Sequence, residues 1–209
     1  MPTSATLAVY LPAVLLIAIT PGPSILFILA RSLSGGRRDG ALTTAGDAAG
    51  SSLHVVGAAL GISALIVASE VAFTALRVVG GLYLIGLGVV LLLRRDQGAA
   101  FSLSQRRRGG HPFVQGAVTG VLNPKLTLFY YAFLPQFVDP NRPTVPQFLV
   151  LGAISLTANV ISEIGVVLVA GPLGERLSAS ARWRATQRRV SGVSMIGLGV
   201  WSLLARPAR

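Results

Sequence analysis

The residues of this sequence that could do chemistry are few, and they stand in apolar surroundings. Lys125 is the only lysine in the chain, and the seventeen other strong bases are all arginine. It lies in "GVLNPKLTLFYYAFLPQF", directly after Asn123 and Pro124. Asp47 and His54 share one apolar block, and Asn159 and Glu163 share another. A buried lysine, unlike an arginine, can give up its proton, so Lys125 could hold an anion or alternate between charged and neutral forms. Asn159 and Glu163 are four residues apart and therefore lie on one face of a helix. Asp47 and Glu163 could receive an ammonium group or carry a proton, although either could simply pair with a loop arginine. His54 is as readily a packing residue as a proton carrier. The sequence holds no phosphate loop, no His-Glu-x-x-His pair and no nucleophile elbow, so no catalytic, metal or cofactor site is expected.

The elements that must position these groups follow from composition. Of 209 residues, 52% are hydrophobic and only 12% are charged, with a mean hydropathy of +0.68. A soluble domain carries about 25% charged residues. The apolar residues run in long blocks, as membrane-spanning helices do. Six are expected, over Leu7–Ala30, Ala41–Ala68, Val71–Leu93, Pro112–Val138, Pro146–Ala170 and Val190–Ala205, making the chain an all-α integral membrane protein. The first block lacks a preceding basic flank and a following Ala-x-Ala, so it is expected to be a retained helix. There is no cysteine, which excludes disulfides, thiolate metal sites and dithiol relays.

A net charge of +11 can signal nucleic-acid binding, but here the arginines cluster between apolar blocks. That pattern marks the cytoplasmic side of a membrane, and no nucleic-acid partner is expected. Thirteen arginines fall in the breaks after the first, third and fifth blocks, and four fall elsewhere. The odd-numbered loops are thereby placed in the cytoplasm and both termini outside.

Two blocks are interrupted. Pro21, Gly22 and Pro23 break the first, because proline lacks the amide hydrogen and clashes with the preceding turn, and glycine weakens the helix further. Asn123 and Pro124 break the fourth, with Lys125 following. The interruptions fall in corresponding places of two three-helix halves, 1–95 and 112–209, joined by a basic linker, 94–111. An odd number of spans per half makes these an inverted repeat, and matched breaks then mark a midplane substrate site. A basic side chain near the bilayer centre costs ~2.5–3.5 kcal/mol. Lys125 is roughly 18 Å from either end of its block, farther than its stem can snorkel. Gly46, Gly50, Gly57 and Gly61 share a helix face, and Gly116 and Gly120 repeat the spacing. Such faces let helices approach closely, within one subunit or between subunits of a homo-oligomer.

Three stretches, "TPGPSILFILARSLSGGRRDGALTTAGDAAGSSLHVVGAALGISALI", "FTALRVVGGLYLIGLGVVLLLR" and "FVQGAVTGVLNPKLTLFYYAFLPQFVDP", resemble the lysine-exporter (LysE/RhtB) family, as does "RRVSGVSMIGLGVWSLLA". The resemblance spans nearly the whole chain, as a single transporter domain. It implies an exporter of an amino acid or close derivative in the inner membrane, driven by the proton gradient, with motif positions at Pro21, Gly22, Pro23, Asn123, Pro124 and Lys125. Lys125 and the amides freed beside Pro21–Pro23 are expected to receive the substrate carboxylate. Asn159 is expected near the substrate, and Asp47, His54 or Glu163 to bind the ammonium group or carry the coupling proton. An uncoupled channel stays open as an alternative. An intramembrane enzyme using His54 with a carboxylate lacks a nucleophile, and a thiol or metal conduit lacks cysteine.

Overall fold

A computed structural model of the chain describes residues 2–64, 70–93, 110–170 and 180–204. Every regular element among them is helical. The first helix, α1 (Ser4–Ile19), starts where Thr3 accepts a hydrogen bond from the Thr6 amide at 3.1 Å, and it stops at the Pro-Gly-Pro run. The second, α2 (Pro23–Gly57), passes through the basic stretch "RSLSGGRRDG", expected to be a loop, with its helical geometry broken only at Gly36. Gly36 has φ 76°, a backbone conformation that glycine adopts without strain. At this corner Arg31 pairs with Asp39 at 3.0 Å. Arg37 donates to the Leu168 carbonyl at 3.1 Å, near the C-terminal end of another helix, where a cation is favoured.

A π turn (Ala58–Ile62) continues the α2 run, and α3 (Glu70–Leu93) follows later in the chain. The block expected over Pro112–Val138 is divided into α4 (Pro112–Val121), α5 (Pro124–Leu128), a π turn (Phe129–Phe133) and a 3₁₀ turn (Leu134–Phe137). The last two helices are α6 (Thr144–Val169) and α7 (Ala181–Leu204).

This corrects the expected architecture of six spans in two inverted three-helix repeats. Among the described residues only α6 is long and apolar enough to cross a bilayer, with a mean hydropathy of 1.7 in its most apolar window. Together, α1 and the run Pro23–Ile62 pass the same test as one span bent by 44°. The reason is local. Proline and asparagine cut the fourth block into pieces shorter than a bilayer core. The third and sixth blocks reduce to the shorter apolar stretches Val78–Val90 and Gly192–Leu204. The linker arginines Arg94, Arg95, Arg106, Arg107 and Arg108, together with Arg176, Arg206 and Arg209, lie outside the described residues.

Polarity is distributed inside out. Asp47, Asn123, Lys125, Gln147 and Glu163 are all buried, while Leu15, Ile19, Leu53, Leu122 and Ile161 are exposed. That is the arrangement of a protein whose outer surface meets lipid. The core is aromatic, with Tyr10, Phe129, Phe133 and Phe137 in successive ring contacts of 5.0–6.2 Å.

Glycine sets the closest approach of the helices. A methyl group on Gly46 or Gly50 of α2 would overlap the Phe113 or Ala117 carbonyl of α4, and one on Gly116 or Gly120 would overlap the Thr43 or Asp47 carbonyl of α2. These four glycines are thus used within the chain. Gly61 and Gly165 meet nothing within 4 Å. Gly46→Ala is expected to destabilise the protein by at least ~1 kcal/mol through overpacking. Gly165→Ala should stay within about 0.5 kcal/mol of the unmodified protein. Thermal unfolding of both variants in detergent checks the contrast.

Candidate functional site

At the break after α1, Thr20 turns its amide back to the Leu16 and Ile17 carbonyls, both at 3.1 Å, and its hydroxyl donates to Leu16 at 2.6 Å. Gly22, which caps α2, offers no side chain, and Pro23 has no amide hydrogen. Further partners for the end of α1 come from distant parts of the chain. The Lys125 ammonium donates to the Ile17 carbonyl at 3.0 Å and to the Thr20 carbonyl at 2.9 Å. Ser162 Oγ donates to the Ala18 carbonyl at 2.8 Å. Lys125 is only 5% exposed, and a side chain at Gly22 would press on its Cδ, Cε and Nζ at 3.3 Å. The lysine therefore caps the broken helix, where positive charge meets the negative end of the helix dipole. Beside it, a small pocket is lined by Ile17, Thr20, Phe133, Ser194 and Leu198 among others.

The second break is held in the same manner. Its carbonyls at Gly120 and Val121 lie 3.3 and 3.0 Å from His54 Nε2. A carbonyl only accepts, so Nε2 must be the donor. The His54 ring is stacked on Tyr130 and edge-on to Tyr131. Asn123 caps α5 by accepting from the Lys125 amide at 3.0 Å.

A chain of hydrogen bonds joins the two breaks. Asn123 Nδ2 donates to Ser24 Oγ at 2.8 Å, and Ser24 Oγ donates to Asp47 Oδ1 at 2.6 Å. Ser51 supplies Asp47 Oδ2 from one turn further along, at 3.3 Å. Asp47 is also in side-chain hydrogen-bonding contact with Glu163 of α6. Lys125 is within electrostatic reach of both carboxyl groups yet forms an ion pair with neither.

The structure thus brings Gly22, Asn123, Lys125, Asp47 and Glu163 into one buried cluster, with Pro21, Pro23 and Pro124 shaping its edges. His54 belongs to the neighbouring cap. Asn159 donates to the Ser155 carbonyl of its own helix at 2.9 Å and is not tied to the cluster by a hydrogen bond. Sequence reasoning missed Ser24, Ser51 and Tyr130. Ser24 directly follows the Pro-Gly-Pro run and Ser51 lies four residues beyond Asp47, so spacing could have found both. Nothing local singles out Tyr130. Among the described residues no group of three or more His, Cys, Asp or Glu side chains could hold a metal ion.

An apolar surface, described residues whose regular elements are all helical, two capped helix breaks and buried charges are the features of a membrane transport protein. The family profile described as "LysE type translocator" matches residues 15–206, and the chain belongs to that family. It is 27% identical over 196 residues to a homoserine/homoserine lactone efflux protein of Salmonella typhi, covering 94% of each chain. It is 30% identical to an uncharacterized membrane protein of Vibrio cholerae, covering 91% of this chain and 93% of the relative. It is 26% identical to the uncharacterized membrane protein YrhP of Bacillus subtilis, covering 93% and 97%. No solved structure matches. Membership makes this a transporter of the amino-acid efflux class rather than an enzyme, and it agrees with a multi-pass place in the cytoplasmic membrane.

If Ser24 is the joint between the breaks, Ser24→Ala should cost about 2–3 kcal/mol, because it leaves the Asn123 amide and one Asp47 oxygen buried without partners. Ser52→Ala, whose hydroxyl bonds only to its own helix, should cost little. Unfolding midpoints of the two variants in detergent test this, and equal midpoints would contradict it.

Proposed function

We propose that this protein exports an amino acid, or a close derivative, across the cytoplasmic membrane in exchange for protons, working as a single transporter domain over residues 1–209. The observation that carries the reading is the Lys125 ammonium. It is buried and held by two helix-end carbonyls while no carboxylate pairs with it. A substrate carboxylate is a stronger partner for an ammonium than a neutral carbonyl, because it adds the attraction of a full opposite charge in a low-dielectric setting. Carboxylate binding would therefore draw Lys125 off the end of α1 and loosen the break. Pro21, Gly22, Pro23, Asn123 and Pro124 frame the place where this exchange occurs. Asn159, one turn before Glu163, would face the substrate on the α6 side.

The named efflux relative supports this substrate class. Homoserine bears a carboxylate, for which the buried Lys125 ammonium offers a partner. The basic corner at Arg31, Arg37 and Arg38 is assigned to the cytoplasmic surface by the positive-inside rule.

The test uses purified protein in proteoliposomes loaded with mixed amino acids under an imposed pH gradient, with the departing solutes identified by mass spectrometry. Departure of a few amino acids, stopped by a protonophore, is the expected result. The same departure without any gradient would mean an uncoupled facilitator. Lys125→Met should lower export at least tenfold, and Lys125→Arg should not restore it, because a planar guanidinium does not reproduce a compact ammonium between two carbonyls. Unchanged rates in both variants would remove Lys125 from the site.

A further inference from the structure

Proton-driven export requires a group that carries the proton, and the buried cluster contains two carboxyl groups that are not equivalent. Asp47 is held from two sides, with Ser24 donating to Oδ1 at 2.6 Å and Ser51 to Oδ2 at 3.3 Å. Glu163 contacts Asp47, but its Oε2 is buried without a hydrogen-bond partner and the residue is only 3% exposed. The Tyr130 hydroxyl, on a residue with no exposed surface, is likewise without a partner and lies within electrostatic reach of both carboxyl groups. Two carboxylates can only accept hydrogen bonds, so two carboxyl groups in hydrogen-bonding contact need a proton between them. A third ion is close by, yet Lys125 caps the end of α1 instead of pairing with either carboxyl.

We propose that the Asp47–Glu163 pair is a proton-binding site of the transport cycle, with Glu163 as the group that takes up and releases the proton and Asp47 as its positioning residue. This rests on the proton-coupled export proposed above. A proton fits where the two side chains already touch, whereas a substrate ammonium would have to part α2 from α6. On release, the O–H bond of the shared proton breaks, the proton leaves to water and a bare carboxylate stays behind. The pair then carries two negative charges instead of one, and this stronger pull can draw Lys125 off the Ile17 and Thr20 carbonyls, so proton release and loosening of the broken helix become one event. The charged and titratable groups facing Glu163 are Asp47 from α2, Lys125 from α5 and Tyr130 from the π turn. Tyr10 of α1 lies two turns away along α6, bonded to Leu151 and Ser155, and Arg37 sits at its far end on Leu168.

Glu163→Gln keeps the shape of the side chain but cannot release a proton. In proteoliposomes two rates are measured with the exported amino acid: substrate exchange at equal pH on both sides, and net export driven by a pH gradient. The variant is expected to lose net export at least tenfold while exchange continues. Gradient-driven export at the rate of the unmodified protein would overturn the proposal. So would loss of both rates in a variant that still elutes as a folded species, which would place Glu163 in substrate binding. Should Glu163→Gln not fold, Glu163→Asp carries the test: the pH profile of net export should move while exchange holds, and an unmoved profile overturns the assignment. If the unmodified protein exports without a gradient, proton coupling itself falls, whereas a gradient-driven Glu163→Gln removes only the role of Glu163.

Discussion

A helix that ends inside an apolar environment leaves carbonyl groups that water cannot reach, and each one left unpaired costs several kcal/mol. This protein meets that constraint at Pro21–Gly22–Pro23, where Thr20 caps the Leu16 and Ile17 carbonyls but Gly22 has no side chain and Pro23 no amide hydrogen. Lys125 and Ser162, more than a hundred residues away, provide the further donors. The end of α1 is therefore stable only when α5 and α6 are packed against it. His54 does the same for α4, so each break depends on a side chain from a distant element. Closing the fold and building the site are a single act, and a ligand that competes for Lys125 acts directly on the packing of the broken helix.

The close approach of α2 and α4 makes this possible. With Gly46, Gly50, Gly116 and Gly120 at the contact, backbone meets backbone and no side chain intervenes. Asp47 and His54, on the same stretch of α2, are thereby carried to the second break. Buried polar groups at such a junction are costly unless each has a partner. The relay Asn123–Ser24–Asp47 is saturated, while Glu163 Oε2 and the Tyr130 hydroxyl are not. Both atoms are buried, and Tyr130 lies within electrostatic reach of the carboxyl pair, so a transferable proton has a place to go.

Much of this was legible in the sequence, though not the geometry. Proline and glycine chemistry located both interruptions, and the isolation of Lys125, Asp47 and Glu163 in apolar blocks marked them as buried. Hydropathy could not say how the blocks fold. A run such as Pro112–Val138 looks continuous by composition, but Asn123–Pro124 and two non-α turns divide it. "RSLSGGRRDG" looks like a loop, but its residues support helix on both sides of Gly36. The six-span expectation failed on these local conformations. The partners of Lys125 were also invisible, because backbone carbonyls carry no sequence signature and lie more than a hundred positions away. Asn159 illustrates the converse: helical spacing put it on the face of Glu163, yet its side chain turns to its own backbone.

Because Lys125 is the only lysine, labelling the protein with ¹⁵N-lysine isolates the ammonium in question as a single NMR signal. Its hydrogen exchange with solvent would be followed with and without the exported amino acid. A slowly exchanging ammonium in the free protein, whose signal shifts and loses protection as substrate saturates, is the result predicted by a lysine that trades helix-end carbonyls for a substrate carboxylate. A signal that exchanges rapidly from the outset, or one that stays protected and unmoved at saturating substrate, would contradict it.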